Sequence, residues 1–102
     1  MIPDDANEQG YTDSVEFEWH PNKAVANLRK HGVSFDEAAT VLADPLAITV
    51  PDPDHSQDEE RFITVGMSFE RRLLIVTHTE RGTRIRLISD RELTAVERMA
   101  YE

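Results

Sequence analysis

The chain has 102 residues, no cysteine and a net charge of −9; this bounds it to one small domain with a modest core and excludes disulfides and thiolate zinc sites. No apolar run approaches the roughly 18–20 residues of a membrane span, and the acidic opening "MIPDDANEQGYTDSVE" lacks the basic end and apolar stretch of a secretory signal. A cytoplasmic protein with no membrane partner is expected.

Residues 1–14 are polar and acidic and are expected to form a disordered tail. A single domain is expected over 15–102. "VEFEW" alternates, placing Val15, Phe17 and Trp19 on one face of a short strand. "HPNKAVANLRKHG" reads as a helix, with Pro21 in its first turn, Gly32 at its left-handed stop and Ala24, Val25 and Leu28 as its apolar stripe. "VSFDEAATVLADP" is a second helix, opened by the capping box of Ser34 and Glu37 and closed by Pro45. Together they suggest a helical hairpin.

"LAITV" is a strand, followed by an acidic loop at 51–60. "RFITVGMS", "RLLIVTHT" and "TRIRLIS" are three more strands, joined by turns near 69–71 and at Arg81–Gly82. Ser89 and Glu92 offer a capping box for a last helix, "RELTAVERMAY", with Leu93, Val96 and Ala100 on one face. The order of elements predicts an α+β domain with helices segregated from a mostly antiparallel sheet.

The charge is lopsided. Residues 1–60 carry 3 Lys/Arg against 14 Asp/Glu, a net of −11; residues 61–102 carry 8 against 6, a net of +2. The C-terminal half is therefore able to present a local positive field, or its arginines simply balance nearby acids. If Arg81 and Gly82 are the central turn residues, Thr79 pairs with Arg84 and Thr77 with Arg86. One face then carries Thr77, Thr79, Arg84 and Arg86, and the other Leu74, Val76, Ile85 and Leu87, with His78 near the turn. Arg91, at the start of the last helix, is placed to join them. Guanidinium forks suit a phosphodiester, and a helix N-terminus adds partial positive charge. The plain alternative is surface ion pairing of these arginines with Glu80, Glu92 or Glu97.

"KHGVSF" (30–35), "EER" (59–61), "IRLISDR" (85–91) and the closing "ER" with Tyr101 resemble the BrnT toxins, ribonuclease components of type II toxin–antitoxin pairs with a RelE-like fold. The resemblance spans roughly residues 16–102. It implies a metal-independent endoribonuclease that inhibits translation, with no cofactor. It also implies a BrnA-like ribbon–helix–helix antitoxin and contact with operator DNA only through that partner. Carried over by position, Arg86 and Arg91 are expected to clamp phosphate and stabilise charge, and Tyr101 to orient a base or donate a proton. Arg61, Arg84, Arg81 and Lys30 are the expected RNA contacts, and Glu60 matches the stretch before Arg61. His31 matches the family's "KHG", though a histidine ending a helix before Gly is more often a C-terminal cap than a catalyst. His78 is a candidate proton shuttle or a turn residue with one hydrogen bond.

The chain departs from the family's usual run at Asp90, Glu92, Val96 and Met99, which replace neutral or basic residues. Fewer phosphate contacts would weaken RNA binding. A catalytically weakened homologue acting as an antitoxin-binding co-repressor is therefore the alternative. The loop "DPDHSQDEE" offers Asp52, Asp54, His55 and Asp58 but lacks the Gly and Glu spacing of a calcium loop. It reads as a solvated loop.

Overall fold

In the computed structural model, which describes residues 8–12, 15–54 and 59–101, the chain forms a six-stranded sheet and three helices. In chain order these are β1 (Glu8–Thr12), β2 (Val15–Trp19), α1 (Pro21–His31), α2 (Phe35–Val41), β3 (Ile48–Pro51), β4 (Phe62–Met67), β5 (Leu73–Arg81), β6 (Arg84–Glu92) and α3 (Ala95–Tyr101). The sheet order is β1-β2-β6-β5-β4-β3. All neighbours are antiparallel except β2 and β6, which run parallel. The α+β expectation holds. The acidic tail differs from expectation over Glu8–Thr12, which pairs with β2 as an edge strand; its remaining residues lie outside those described.

Helices α1 and α2 cover one face of the sheet. Phe17, Trp19, Leu74, Val76 and Leu87 project from the strands into the core, against Val33, Phe35, Ala38, Ala39 and Val41. Trp19 meets Phe35 edge-on, with ring centroids 6.0 Å apart. This burial of aromatic and branched side chains is the main driving force for the fold. Gly66 lets α2 approach closely: a Cβ there would sit 2.9 Å from the Ala47 Cβ and 3.2 Å from the Val41 Cγ1.

Helix α1 starts at Pro21, with the His20 imidazole accepting from the Asn22 N–H (3.1 Å), and stops at Gly32, φ 73°. Its expected stripe is corrected. Val25 and Leu28 are 54% and 51% exposed, and the buried residue is Asn27. The Asn27 amide donates to the Val33 carbonyl (3.1 Å), the Asp90 carbonyl (3.0 Å) and the Asp90 carboxyl. A polar side chain thus ties α1 to β6 where periodicity pointed to aliphatic packing.

Helix α2 keeps its capping: the Ser34 hydroxyl accepts from the Glu37 N–H (3.0 Å). The Glu37 carboxylate instead turns toward Arg72 (2.5 and 3.0 Å) and Ser68 (2.6 Å). Arg72 also reaches Glu92 (3.0 Å) and the Gly32 carbonyl (3.2 Å). These bonds fix α2 and the α1–α2 link to the β4–β5 turn, and Arg72 holds the Glu37 carboxyl below its usual range.

Two expectations near the C-terminus are corrected. The β5–β6 turn centres on Gly82 (φ 64°) and Thr83, so that Arg81 pairs with Arg84, Thr79 with Arg86 and His78 with Leu87. This register differs by two residues from the expected one, so each side chain keeps its face. Beyond a shift at Thr77–His78, Thr77 pairs with Ser89 and Ile75 with Arg91. Secondly, β6 continues through Glu92, and the last helix begins after Thr94. There the Thr94 N–H donates to the Glu97 carboxylate (2.9 Å) and the Glu97 N–H to the Thr94 hydroxyl (3.2 Å). The working capping box is Thr94–Glu97, not Ser89–Glu92.

Candidate functional site

The sheet face away from α1 and α2 holds the arginines. The parallel pairing sets Glu16 beside Arg84 and Glu18 beside Arg86, with Phe17 and Ile85 facing the core between them. The Arg84 Nε is 3.0 Å from Glu16, its Nη1 is 3.4 Å from Glu18, and the Arg86 Nη1 is 2.7 Å from Glu18. Glu18 is only 5% exposed, so one carboxylate is lodged between two guanidiniums. The pair with Glu16 strengthens the hold of Arg84 on its proton. Glu18, Arg81, Gly82, Thr83 and Arg84 surround an open hollow of about 470 Å³ at the β5–β6 turn.

Arg91 lies on the same face but on strand β6, not at a helix start. Five residues separate it from Arg86, roughly 15 Å along a strand. It grips Glu97 through two nitrogens, at 2.8 and 3.0 Å. That grip and the Thr94 backbone pull the Glu97 carboxyl down to about 2. Tyr101, on α3, borders an apolar groove of about 370 Å³ formed by Ile48, Val50, Ile63, Val65 and Ile75. Its hydroxyl makes a long contact, 3.4 Å, to the Leu46 carbonyl. Arg61 precedes β4 and pairs with Glu59 at 3.2 Å.

The remaining expected site residues do not gather there. Lys30 and His31 end α1, on the helix-covered side; His31 stands in the last turn before Gly32, where a cap belongs. Glu60 contributes its carbonyl, which accepts from the Thr79 hydroxyl (2.5 Å). His78 is buried on the core face. Its Nε2 lies 2.8 Å from the Thr64 hydroxyl, itself 2.6 Å from that of Thr49, and its ring stacks on Phe62 at 5.9 Å. Burial pushes its pKa down to about 4, so the ring is neutral at physiological pH and stands across the sheet from the guanidiniums.

Sequence reasoning missed Glu16 and Glu18. The signal was present: two acids at i and i+2 on one strand and two arginines at i and i+2 on another. Only the pairing of β2 with β6 joins them. Of the acids considered as partners, Glu97 does pair with Arg91 and Glu92 goes to Arg72. Among the described residues no three His, Asp or Glu side chains are grouped to hold a metal ion, and no helix is long and apolar enough to cross a membrane. His55 and Asp58 of the acidic loop lie outside those described.

A mostly antiparallel sheet with a helical hairpin on one face, and a C-terminal helix and guanidiniums on the other, makes an α+β domain. The family model described as "Ribonuclease toxin, BrnT, of type II toxin-antitoxin system" matches residues 19–97. The chain belongs to that family of ribonuclease toxins, a class that works with an antitoxin partner and on RNA. Among solved structures, it is similar to the ribonuclease toxin BrnT of Brucella abortus, with 20% identity and a TM-score of 0.55, over 74% of this chain and 92% of that one. That likeness concerns the fold. No curated protein matches the sequence.

Proposed function

We propose that the chain is a metal-independent endoribonuclease of the cytoplasm that inhibits translation and is neutralised by a BrnA-type ribbon–helix–helix antitoxin, through which alone it meets operator DNA. The observation that carries this reading is the pair Arg81 and Arg84 around the open hollow at the β5–β6 turn, with Arg86 beside them on Glu18. Each guanidinium has five N–H donors in a fixed fork. One arginine therefore holds a carboxylate and a phosphate oxygen together. In the reaction the ribose 2′-hydroxyl attacks its own phosphate, while the arginines bind the phosphate and neutralise its developing charge. Arg91, Arg61 and Tyr101 are positioned to contact the flanking strand. His78 stands outside the reacting set because the sheet separates it from the guanidiniums.

The test is cleavage of single-stranded RNA by the purified protein beside its Arg86→Ala/Arg91→Ala double variant. Each site loses a charge aimed at phosphate, and removing one such donor typically costs on the order of 100-fold in rate. A loss of at least that size, with the growth arrest of the wild type relieved, is expected. Equal rates for the two proteins sink the reading.

A second reading is favoured by one observation: Arg84, Arg86 and Arg91 all face carboxylates, those of Glu16, Glu18 and Glu97. In it the chain is a weakened homologue that binds antitoxin and aids repression. A wild type that sharpens operator binding by the antitoxin yet leaves RNA intact would establish it.

A further inference from the structure

Resting on the ribonuclease reading, we infer that Glu18 is the general base of the cleavage reaction. A base for this chemistry needs to be ionised, fixed and within hydrogen-bond reach of the 2′-hydroxyl when the phosphate is seated. Glu18 lines the hollow with Arg81 and Arg84. Its Oε2 is 2.7 Å from the Arg86 Nη1 and its Oε1 is 3.4 Å from the Arg84 Nη1. Two guanidiniums hold both its oxygens in place. One of the two, Arg84, lines the hollow with Arg81 and is a cation for a phosphodiester seated there. Phosphate and base are thus held by shared groups, one guanidinium apart, in the near-attack arrangement that lowers the entropic part of a barrier. His78, also suited to proton transfer by its chemistry, is on the core face.

The proton and bond changes close without a co-reactant other than water. Glu18 accepts the proton of the 2′-hydroxyl as the 2′-oxygen forms its bond to phosphorus. The bond from phosphorus to the 5′-oxygen breaks, and that oxygen takes a proton from water. Glu18 then returns its proton to the hydroxide so formed. The products are a 2′,3′-cyclic phosphate end and a 5′-hydroxyl end. The substrate class follows: RNA is cut, and a strand with one deoxyribose at the scissile position binds but stays whole.

Opposed to this is a masking role, in which Glu18 merely occupies the arginines and keeps phosphate out. The two roles predict opposite signs for Glu18→Gln, an isosteric change that removes the base and one competing charge together. As the base, its loss lowers kcat by about 100- to 10,000-fold and leaves KM for RNA unchanged or smaller. Glu16→Gln removes a carboxylate from Arg84 without touching the Arg86 pair, and its rate should fall less than about tenfold, within the range of an exposed ion pair. A Glu18→Gln rate at or above wild type, or a loss confined to KM, overturns the inference. If that variant fails to fold, Glu18→Asp keeps the charge and withdraws the carboxylate by one methylene. A kcat drop of tenfold or more at unchanged RNA affinity then supports the base, and wild-type kcat refutes it. A wild type that cuts RNA, an Arg86→Ala protein that does not and a fully active Glu18→Gln protein sink the inference alone. An inert wild type sinks the ribonuclease reading and the inference with it.

Discussion

Asp90 stands one residue before Arg91, yet its carboxyl points into the core and is 1% exposed. Its Oδ1 accepts from the Asn27 amide, while its Oδ2 has no hydrogen-bond partner among the described residues. Burial, opposed in part by Asn27, raises its pKa to about 7. A carboxyl raised above its unfolded value of 3.8 favours the fold when protonated. That contribution is complete below pH 4 and is lost as pH rises toward 7. His78 runs the other way: with its pKa lowered from 6.5 to about 4, its contribution is present above pH 6.5 and is lost as pH falls toward 4. Asp90→Asn removes the first dependence while keeping an acceptor for Asn27. Urea melts should show the variant more stable than wild type at pH 8 by about 2 kcal/mol, a discounted fraction of the linkage for a buried carboxyl, and equal to it at pH 4. A pH-independent difference would place the shift elsewhere. In the sequence Asp90 stood beside the expected start of the last helix, as an acid in place of a neutral or basic residue. Continuation of β6 through Glu92 turned it inward, and a chain read locally carries no sign of that pairing.

At the scale of elements, the strand and helix types were legible because they rest on local patterns. Pro21 and Gly32 bounded α1, and Ser34 opened α2. What failed was the choice between equal local signals. Ser89–Glu92 and Thr94–Glu97 both satisfy the same four-residue capping pattern five residues apart, and the ladder of β6 on β5 decided between them. The β5–β6 turn was likewise ambiguous by two residues, which changed the pairs and spared the faces. The apolar stripe of α1 failed for a different reason: a seven-residue partner helix covers only part of it, leaving Val25 and Leu28 around a shallow surface pocket with Trp19 and Phe35. The close contact of α2 with β4 is a property of the pair. Gly66→Ala would push a methyl against Ala47, Val41 and the Asp44 carboxylate, whose Oδ2 lies 3.0 Å from the added carbon. Overpacking of this kind costs about 1–3 kcal/mol, so the thermal midpoint should drop by several degrees. An unchanged midpoint would show that the loop at 42–47 yields freely.

Across the whole molecule, the two faces of the sheet have different fates. One is sealed by α1 and α2; among the described residues, the other is crossed only by α3, none of whose residues is buried. The chain cut after Thr94 should therefore keep a cooperative melt with a loss of less than about 2 kcal/mol, since the Arg91–Glu97 pair is half exposed and a seven-residue helix adds little by itself. Collapse of the fold on truncation would show α3 to be a structural member. The sequence by itself determined the class of fold, the element types, the family motifs and the sorting of Arg84 and Arg86 away from the core. Periodicity and capping act over a few residues, and a strand alternates whatever its neighbours are. Only the tertiary structure decided that Glu16 and Glu18 partner Arg84 and Arg86, and that Asp90 turns inward. The first depends on β2 lying parallel to β6 across some 68 residues of chain, the second on the β5–β6 ladder running through Glu92. Such a pairing is set by the burial of the whole sheet face and not by any short stretch.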